Sequence, residues 1–539
     1  MIITARLRAR STWPKSRMDS EPALPQVVSP ASMPDMSSRV QGLKLVLFLL
    51  GVTAIGHAAV EDITVDFDYV RRLAAANAAA AYKAPDNDLP PRLGALTYDE
   101  YRSIRFAPPQ AMWRKDRVPF QLQFFHRGGL FRDRVTLHEF SASHEQVIPF
   151  LKDFFNYEGI KDLPPLHSTL GYAGFRVHTP LNRPDVYDEV IAFLGSSYFR
   201  AIGAEQVYGL SARGIAMNSG IPGVREEFPK FTEFWIGRPE NGAMALTLYA
   251  LLQGPNVSGA YEFVVRPGKA TFVDVRAELT FRTDSALVGL APLTSMFWFG
   301  ENSVRPAGEL RPEVHDSDGL IVDDGAAHPL WRPLRNPRDV TSTSVPVKKL
   351  VRFGLLQRDR RMTSYEDLEA HSEKRPSAWI EPRSDWDAGS VRLVELPDPA
   401  EHGDNIVAFW VPGEKVTPGR PIEIRYRIVW SLGEPPNGNL ARVVNTREGS
   451  LPGNRHLFWI DFSDEKNSGR DLAAMEPVIE LRGEAKIRHF SVTPYPEIHG
   501  CRVAIETDEA KLGQTTHVRC HLRNKTEPVS ETWSYLSQP

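Results

Sequence analysis

Tyr261-Glu-Phe-Val-Val-Arg-Pro-Gly-Lys-Ala-Thr-Phe-Val-Asp-Val-Arg-Ala-Glu-Leu279 is the stretch that decides the fold. Val273, Val275, Ala277 and Leu279 alternate with Asp274, Arg276 and Glu278, the period of two expected of a strand with one buried face. Arg266-Pro-Gly268 separates this run from the β-rich residues 261–265 and carries the residue types that turns require. The same pattern recurs outward on both sides, over residues 120–125, 245–252, 391–396 and 422–430. Short strands separated by turns predict an all-β sandwich or barrel. Helical spacing is confined to the N-terminal part. It covers the alanine-rich residues 69–82, residues 98–104, and residues 143–155, where Ser143 can cap a segment carrying Val147, Phe150, Leu151, Phe154 and Phe155. Ile63-Thr-Val65 reads as a short strand.

A boundary is expected at Leu432-Gly-Glu-Pro-Pro-Asn-Gly-Asn-Leu440, because two prolines and two glycines so close together continue neither a strand nor a helix. Residues 59–431 then form a large domain, 432–440 a linker, and 441–539 a small domain. The small domain has short strands over 478–481, 487–492, 501–506 and 516–522, a size and spacing that suit an immunoglobulin-like sandwich.

Residues 1–58 read as an N-terminal extension and a cleaved signal peptide. Leu45 to Ile55 is apolar, Arg39 and Lys44 precede it, and Gly56-His-Ala58 offers small residues for cleavage before Ala59. Met33 and Met36 are alternative starts. The apolar run is about half of what a bilayer-spanning helix needs, so no stable membrane anchor is expected. The exported chain would enter an oxidising envelope compartment. Cys501 and Cys520 lie in the last two predicted strands on either side of a turn, so hairpin register would face them for a disulfide, against the alternative of two separate buried thiols.

The 64 basic and 67 acidic side chains give a formal net charge of −3, which argues against nucleic acid as a partner. The sequence contains no Gly-x-Ser-x-Gly, P-loop, His-Glu-x-x-His or dinucleotide glycine pattern, and two cysteines build neither a zinc ribbon nor an iron–sulfur site. No metal and no organic cofactor is expected. Asp316-Ser-Asp-Gly319 starts like a calcium loop, but Ile321 stands where the turn glycine belongs and Ala327 where the final Glu belongs.

Aromatics and charged groups concentrate in mid-chain. Met296-Phe-Trp-Phe-Gly-Glu-Asn302, Arg311-Pro-Glu-Val-His-Asp-Ser-Asp-Gly-Leu320, Trp331-Arg-Pro-Leu334, Gly354-Leu-Leu-Gln-Arg-Asp359, Glu369-Ala-His-Ser-Glu-Lys-Arg-Pro-Ser377 and Asp404-Asn-Ile-Val-Ala-Phe-Trp410 stand in order. Trp beside Asp, Glu, His and Arg is the composition of a carbohydrate cleft, in which indoles cover sugar faces and planar charged groups bind hydroxyl edges. Trp298, Trp379 and Trp410 serve either as such platforms or as sandwich core. His315 and His371 are either ligand-binding or structural, and Asp316 and Asp318 either functional or turn caps.

Together these strings resemble the periplasmic glucan biosynthesis (OpgG/OpgD, MdoG) family from about Ile63 to the C-terminus. The resemblance implies a large N-terminal β-sandwich of the galactose-mutarotase-like kind, joined to a small C-terminal immunoglobulin-like β-sandwich. It also implies a periplasmic location and a part in making osmoregulated glucans with a β-1,2-linked backbone. Family members include inverting endo-β-1,2-glucanases. By motif the resemblance implies Asp404 as general acid, Asp316 as general base and Glu401 as an aid to a water-mediated proton relay. Candidate substrate contacts are His315, Asp318, Arg311, Trp298, Trp379, Trp410 and Ser372. Burial among Phe409 and Trp410 is expected to raise the Asp404 pKa, and Arg311 to keep Asp316 ionised. One departure stands at Ser372, where the family string has Tyr; a relay through that position would then need an extra water. The alternative reading is a non-catalytic glucan-binding protein that assists a membrane glucosyltransferase.

Overall fold

The alternating residues after Lys269 become the strand Thr271–Phe281, whose odd-numbered residues are buried and whose even-numbered ones are partly exposed. The computed structural model describes residues 64–85, 88–142, 144–326, 328–401, 403–465, 469–508 and 515–537. The apolar run, its cleavage site and both alternative starts lie outside the described residues, as do Ile63 and Ser143.

Thr271–Phe281 pairs antiparallel with Val257–Arg266 on one side and Ile422–Ser431 on the other, with Val273 opposite Val265 and Ile428. These strands sit inside a 15-stranded sheet. A ten-stranded sheet lies across it, and its central strands are Tyr198–Ala201, Ser211–Arg213, Val288–Ser295 and Ile406–Pro412. Between the sheets is the main core, which takes Phe263, Val273 and Ile428 from one side and Phe193, Phe199, Leu293 and Trp410 from the other. The fold is an all-β sandwich of two sheets with a smaller sandwich attached.

The smaller sandwich is built partly on the same 15-stranded sheet. Leu330–Pro333 pairs in parallel with Thr532–Ser537, which pairs in turn with Thr516–Asn524, so hydrogen bonding passes from mid-chain strands to C-terminal ones without a break. A four-stranded sheet of Arg442–Leu451, Arg455–Ser463, Gly500–Asp508 and Ile487–Tyr495 closes over it. The second core draws Ile321, Trp331, Leu356 and Trp379 from before the 432–440 segment, and Phe458, Ile460, Val503 and Trp533 from after it. Arg358, buried at this junction, makes two bonds to Glu531, at 2.8 and 2.9 Å, and stacks over the Trp331 ring.

Two expectations are corrected here. Residues 144–156 form no α-helix: His144–Val147 is a strand paired with Thr136–Ser141, followed by a short 3-10 turn at Lys152–Phe154. Pro149 interrupts the helical pattern because it has no N–H, and the Trp235 indole donates to Glu145 at 2.6 Å in the strand arrangement. The Cys501/Cys520 hairpin is also wrong. Cys501 stands opposite Phe462 in the four-stranded sheet and Cys520 opposite Trp533 in the large one, so two buried, unbonded thiols face the second core from different sheets. A turn-length connection serves a hairpin and a sheet-to-sheet crossover equally well, and only packing selects between them.

The helices at 69–82 and 98–104 appear as Phe67–Ala79, capped by Asp66, and Tyr98–Ser103, whose Thr97 and Glu100 form a capping box. Thr64 and Val65 are not in a strand. Among the described residues no helix is long and apolar enough to cross a membrane.

Candidate active site

The ten-stranded sheet has two chemically different faces. Phe199, Ala212, Leu293 and Ala408 turn into the main core. By the period of two, Tyr198, Arg200, Ser211, Arg213 and Thr294 share the other face. Cross-strand pairing sets Tyr198 beside Arg213 and Ser211 beside Thr294.

Four consecutive residues, Thr294 to Phe297, organise both carboxylates singled out from the sequence. The Thr294 hydroxyl donates to Asp404 Oδ2 at 2.9 Å. The Ser295 hydroxyl donates to that of Ser317 at 2.9 Å, and the Asp316 backbone N–H donates to the Met296 carbonyl at 2.8 Å. Phe297 completes the set, since its N–H donates to Asn405 Oδ1 at 2.8 Å and its carbonyl accepts from Asn405 Nδ2 at 2.9 Å. Asp316 and Asp404 are distant in sequence but fixed to one segment.

Their surroundings differ. Burial pushes the Asp404 carboxyl above its ordinary range, while the Thr294 hydroxyl and the charges of Arg213 and Arg200 pull it down less strongly. Asp316 is 1% exposed and pairs with the buried guanidinium of Arg375, leaving Oδ2 enclosed without a hydrogen-bond partner in the structure. Gly209 lets Arg375 approach: a Cβ there would lie 2.9 Å from Arg375 Cβ.

The donor expected for Asp316 was Arg311, and this is corrected. Arg311 instead binds Glu309, Asp367 at 3.1 Å and Glu401 at 2.8 Å, joining three loops. Glu401 is thus tied to Arg311, three residues before Asp404. Of the two aromatic residues expected beside Asp404, Trp410 turns away from it. Trp410, 2% exposed, points into the main core against Trp386, and Phe409 packs with Val394 and Val407 on the opposite face.

The remaining predicted residues divide. His315 is enclosed, with Nδ1 at 3.0 Å from Gln357 Oε1 and Nε2 at 3.0 Å from Glu313 and 3.6 Å from Asp318. Burial opposes its charge, but the Glu313 hydrogen bond and the charges of Asp318, Glu313 and Glu301 outweigh it and raise its pKa to about 9. Asp318 Oδ2 accepts the backbone N–H groups of Arg358 and Asp359. Ser372 is buried, and its carbonyl accepts from Gln357. Trp379 lies in the second core with its N–H on Glu381, and Trp298 packs edge-on against Phe299 while remaining partly exposed.

Glu313, His315 and Asp318 are close enough to share a cation. Glu313 and Asp318 line a cavity of about 50 Å³ with Glu301 and Asp359, and the guanidiniums of Arg358, Arg361 and Arg447 line it too.

Sequence reasoning missed Arg375, Thr294, Arg213 and Tyr198. Arg375 lies within a quoted string, yet nothing in its spacing joins it to Asp316. Thr294 and Arg213 carry no local signal, because cross-strand register creates their roles.

Residues 65–537 match the family described as periplasmic glucan biosynthesis protein, MdoG. The chain belongs to this family. Among its relatives is the glucans biosynthesis protein G of Rhodopseudomonas palustris (strain ATCC BAA-98 / CGA009), 41% identical over 89% of this chain and 95% of the relative. That of Ralstonia nicotianae is 43% identical over 86% and 94%, and that of Pseudomonas aeruginosa PAO1 38% identical over 91% and 96%. The matched MdoG region spans both sandwiches and includes Asp316, Arg375 and Asp404.

Proposed function

We propose that this MdoG-family protein is an exported, periplasmic glycoside hydrolase that cleaves β-1,2-linked glucan with inversion. Asp404 is the general acid, Asp316 the general base, and Glu401 assists proton movement. An inverting reaction needs one carboxyl that keeps its proton until the leaving oxygen departs and another that stays ionised to activate water. The observation that carries the reading is the opposite treatment of two carboxyls on one four-residue segment. Asp404, facing a hydroxyl, is pushed toward its acid form, whereas Asp316 faces a guanidinium charge. Glycosidic oxygen protonation by Asp404 and deprotonation of water toward Asp316 Oδ2 balance in one step. The C–O bond to the leaving sugar breaks as that from water forms, and the acid and base exchange protonation states. The enclosed position of Asp316 favours a chain of hydroxyls or waters between it and the attacking water.

Purified linear β-1,2-glucan supplies the test. New reducing ends with the wild type, and their loss with Asp404→Asn, are expected. Binding without cleavage by the wild type would replace hydrolysis with the role of a glucan-holding protein.

A further inference from the structure

The three tryptophans that composition nominated are poor sugar platforms: Trp379 and Trp410 are buried, and Trp298 packs against Phe299. A carbohydrate site nevertheless needs an accessible aromatic face near the charged groups, since sugar C–H edges pack on π faces while hydroxyls seek donors and acceptors. Such a face exists beside Asp404. The Arg213 guanidinium lies between two rings, 4.6 Å from the centroid of Tyr198 and 5.4 Å from that of Phe228. Tyr198 is buried, but Phe228 is 40% exposed. Arg213 is fixed by Glu226 at 2.9 Å, and Glu226 also accepts from Ser219 at 2.6 Å, so the loop carrying Phe228 is tied to the sheet. Arg213 stands two residues along its strand from Ser211, which pairs with Thr294, the hydroxyl partner of Asp404, so the clamp lies on the acid's side of the site.

We infer that Phe228 is a sugar-stacking platform for the glucan, one subsite away from Asp404, with Arg213 holding its ring in place. The inference rests on the reading of Asp404 as the acid of a glucan site. The sheet face beyond it can continue the path. Arg200 stands over Tyr208, and Arg176 binds Glu189 at 2.9 Å, both on strands successively farther from Asp404. From the strand bearing Arg176 to that bearing Val407 are five inter-strand steps, ~24 Å at ~4.8 Å each, enough for several sugar units.

The test measures binding of a size-defined linear β-1,2-glucan by titration calorimetry in the Asp404→Asn background, where turnover cannot intervene. Phe228→Ala is expected to weaken binding roughly 10-fold, the loss of one aromatic anchor, and Phe228→Trp to retain it. Thermal melting should be nearly unchanged, because the side chain is exposed. Equal binding by Phe228→Ala and its parent overturns the platform and leaves the function untouched. Absence of β-1,2-glucan binding by both the wild type and Asp404→Asn overturns the function and the platform together.

Discussion

Asp404 and Asp316 are held by neighbouring residues of the same strand end, yet the protein treats them in opposite ways. Around Asp404 the direct partner is a neutral hydroxyl, and the nearest cations, Arg213 and Arg200, act without a hydrogen bond. Around Asp316 a buried guanidinium makes direct contact. Removal from water alone penalises a carboxylate, whereas removal in company with a cation leaves it charged. Two residues of the same type thereby meet different electrostatic surroundings beside one segment.

The largest effect that can break this comparison is on turnover. Asp404→Asn and Asp316→Asn should each lower the rate of β-1,2-glucan cleavage by roughly 10²- to 10⁴-fold with little change in affinity, as expected for positioned acid and base groups. A rate retained by either variant removes that residue from the chemistry.

Next in size is the stability of Arg375→Met. It leaves the Asp316 carboxylate buried without its cation, and a loss of about 3–5 kcal/mol in denaturant melts is expected. Asp316→Asn should also destabilise, since it strands the guanidinium instead. The double variant should lose less than the sum of the two, and strict additivity would mean that the pair is not energetically coupled.

The His315 cluster gives a pH signature between these effects and the smallest one. Its folded pKa is raised to about 9 against an unfolded value near 6.5. Its stabilising contribution is therefore complete below about pH 6.5 and lost as pH rises through about 9, amounting to up to about 3 kcal/mol. His315→Gln should flatten the melting curve in that window; an unchanged slope would refute the charged-histidine arrangement.

The smallest effect has the opposite sign. Because burial raises the Asp404 pKa, the folded state keeps a proton that the unfolded state has already released. Stability then falls as pH rises from the unfolded value to the raised folded one, and above that window the charge is a net cost. Asp404→Asn should melt higher than the wild type at neutral pH and show no advantage at pH below the unfolded carboxylate value. A variant that loses turnover while gaining stability at Asp404, but loses both at Asp316, is the sharpest form of the contrast.

Much of this architecture is legible in the amino-acid sequence. Alternation over 271–279 and its neighbours marks strands because a period of two depends only on local geometry. The strings around Asp316 and Asp404 nominate both carboxylates, since their motifs are contiguous along the chain. The turn residues of 432–440 mark a change of direction, but not the second core, whose Trp331 and Trp379 come from before it and Trp533 from after it.

Legible along the chain is therefore whatever repeats or adjoins in it: the β class, the turns, two of the helices and the two candidate carboxylates. Tertiary structure alone decided which cation meets which carboxyl, which tryptophans are core, and whether the strands of Cys501 and Cys520 share a sheet. The packing of loops against strand ends joins residues such as Asp316 and Arg375, or Thr294 and Asp404, that are far apart in the chain. No periodicity encodes those partners, because a sheet's register is settled by the packing of both its faces at once.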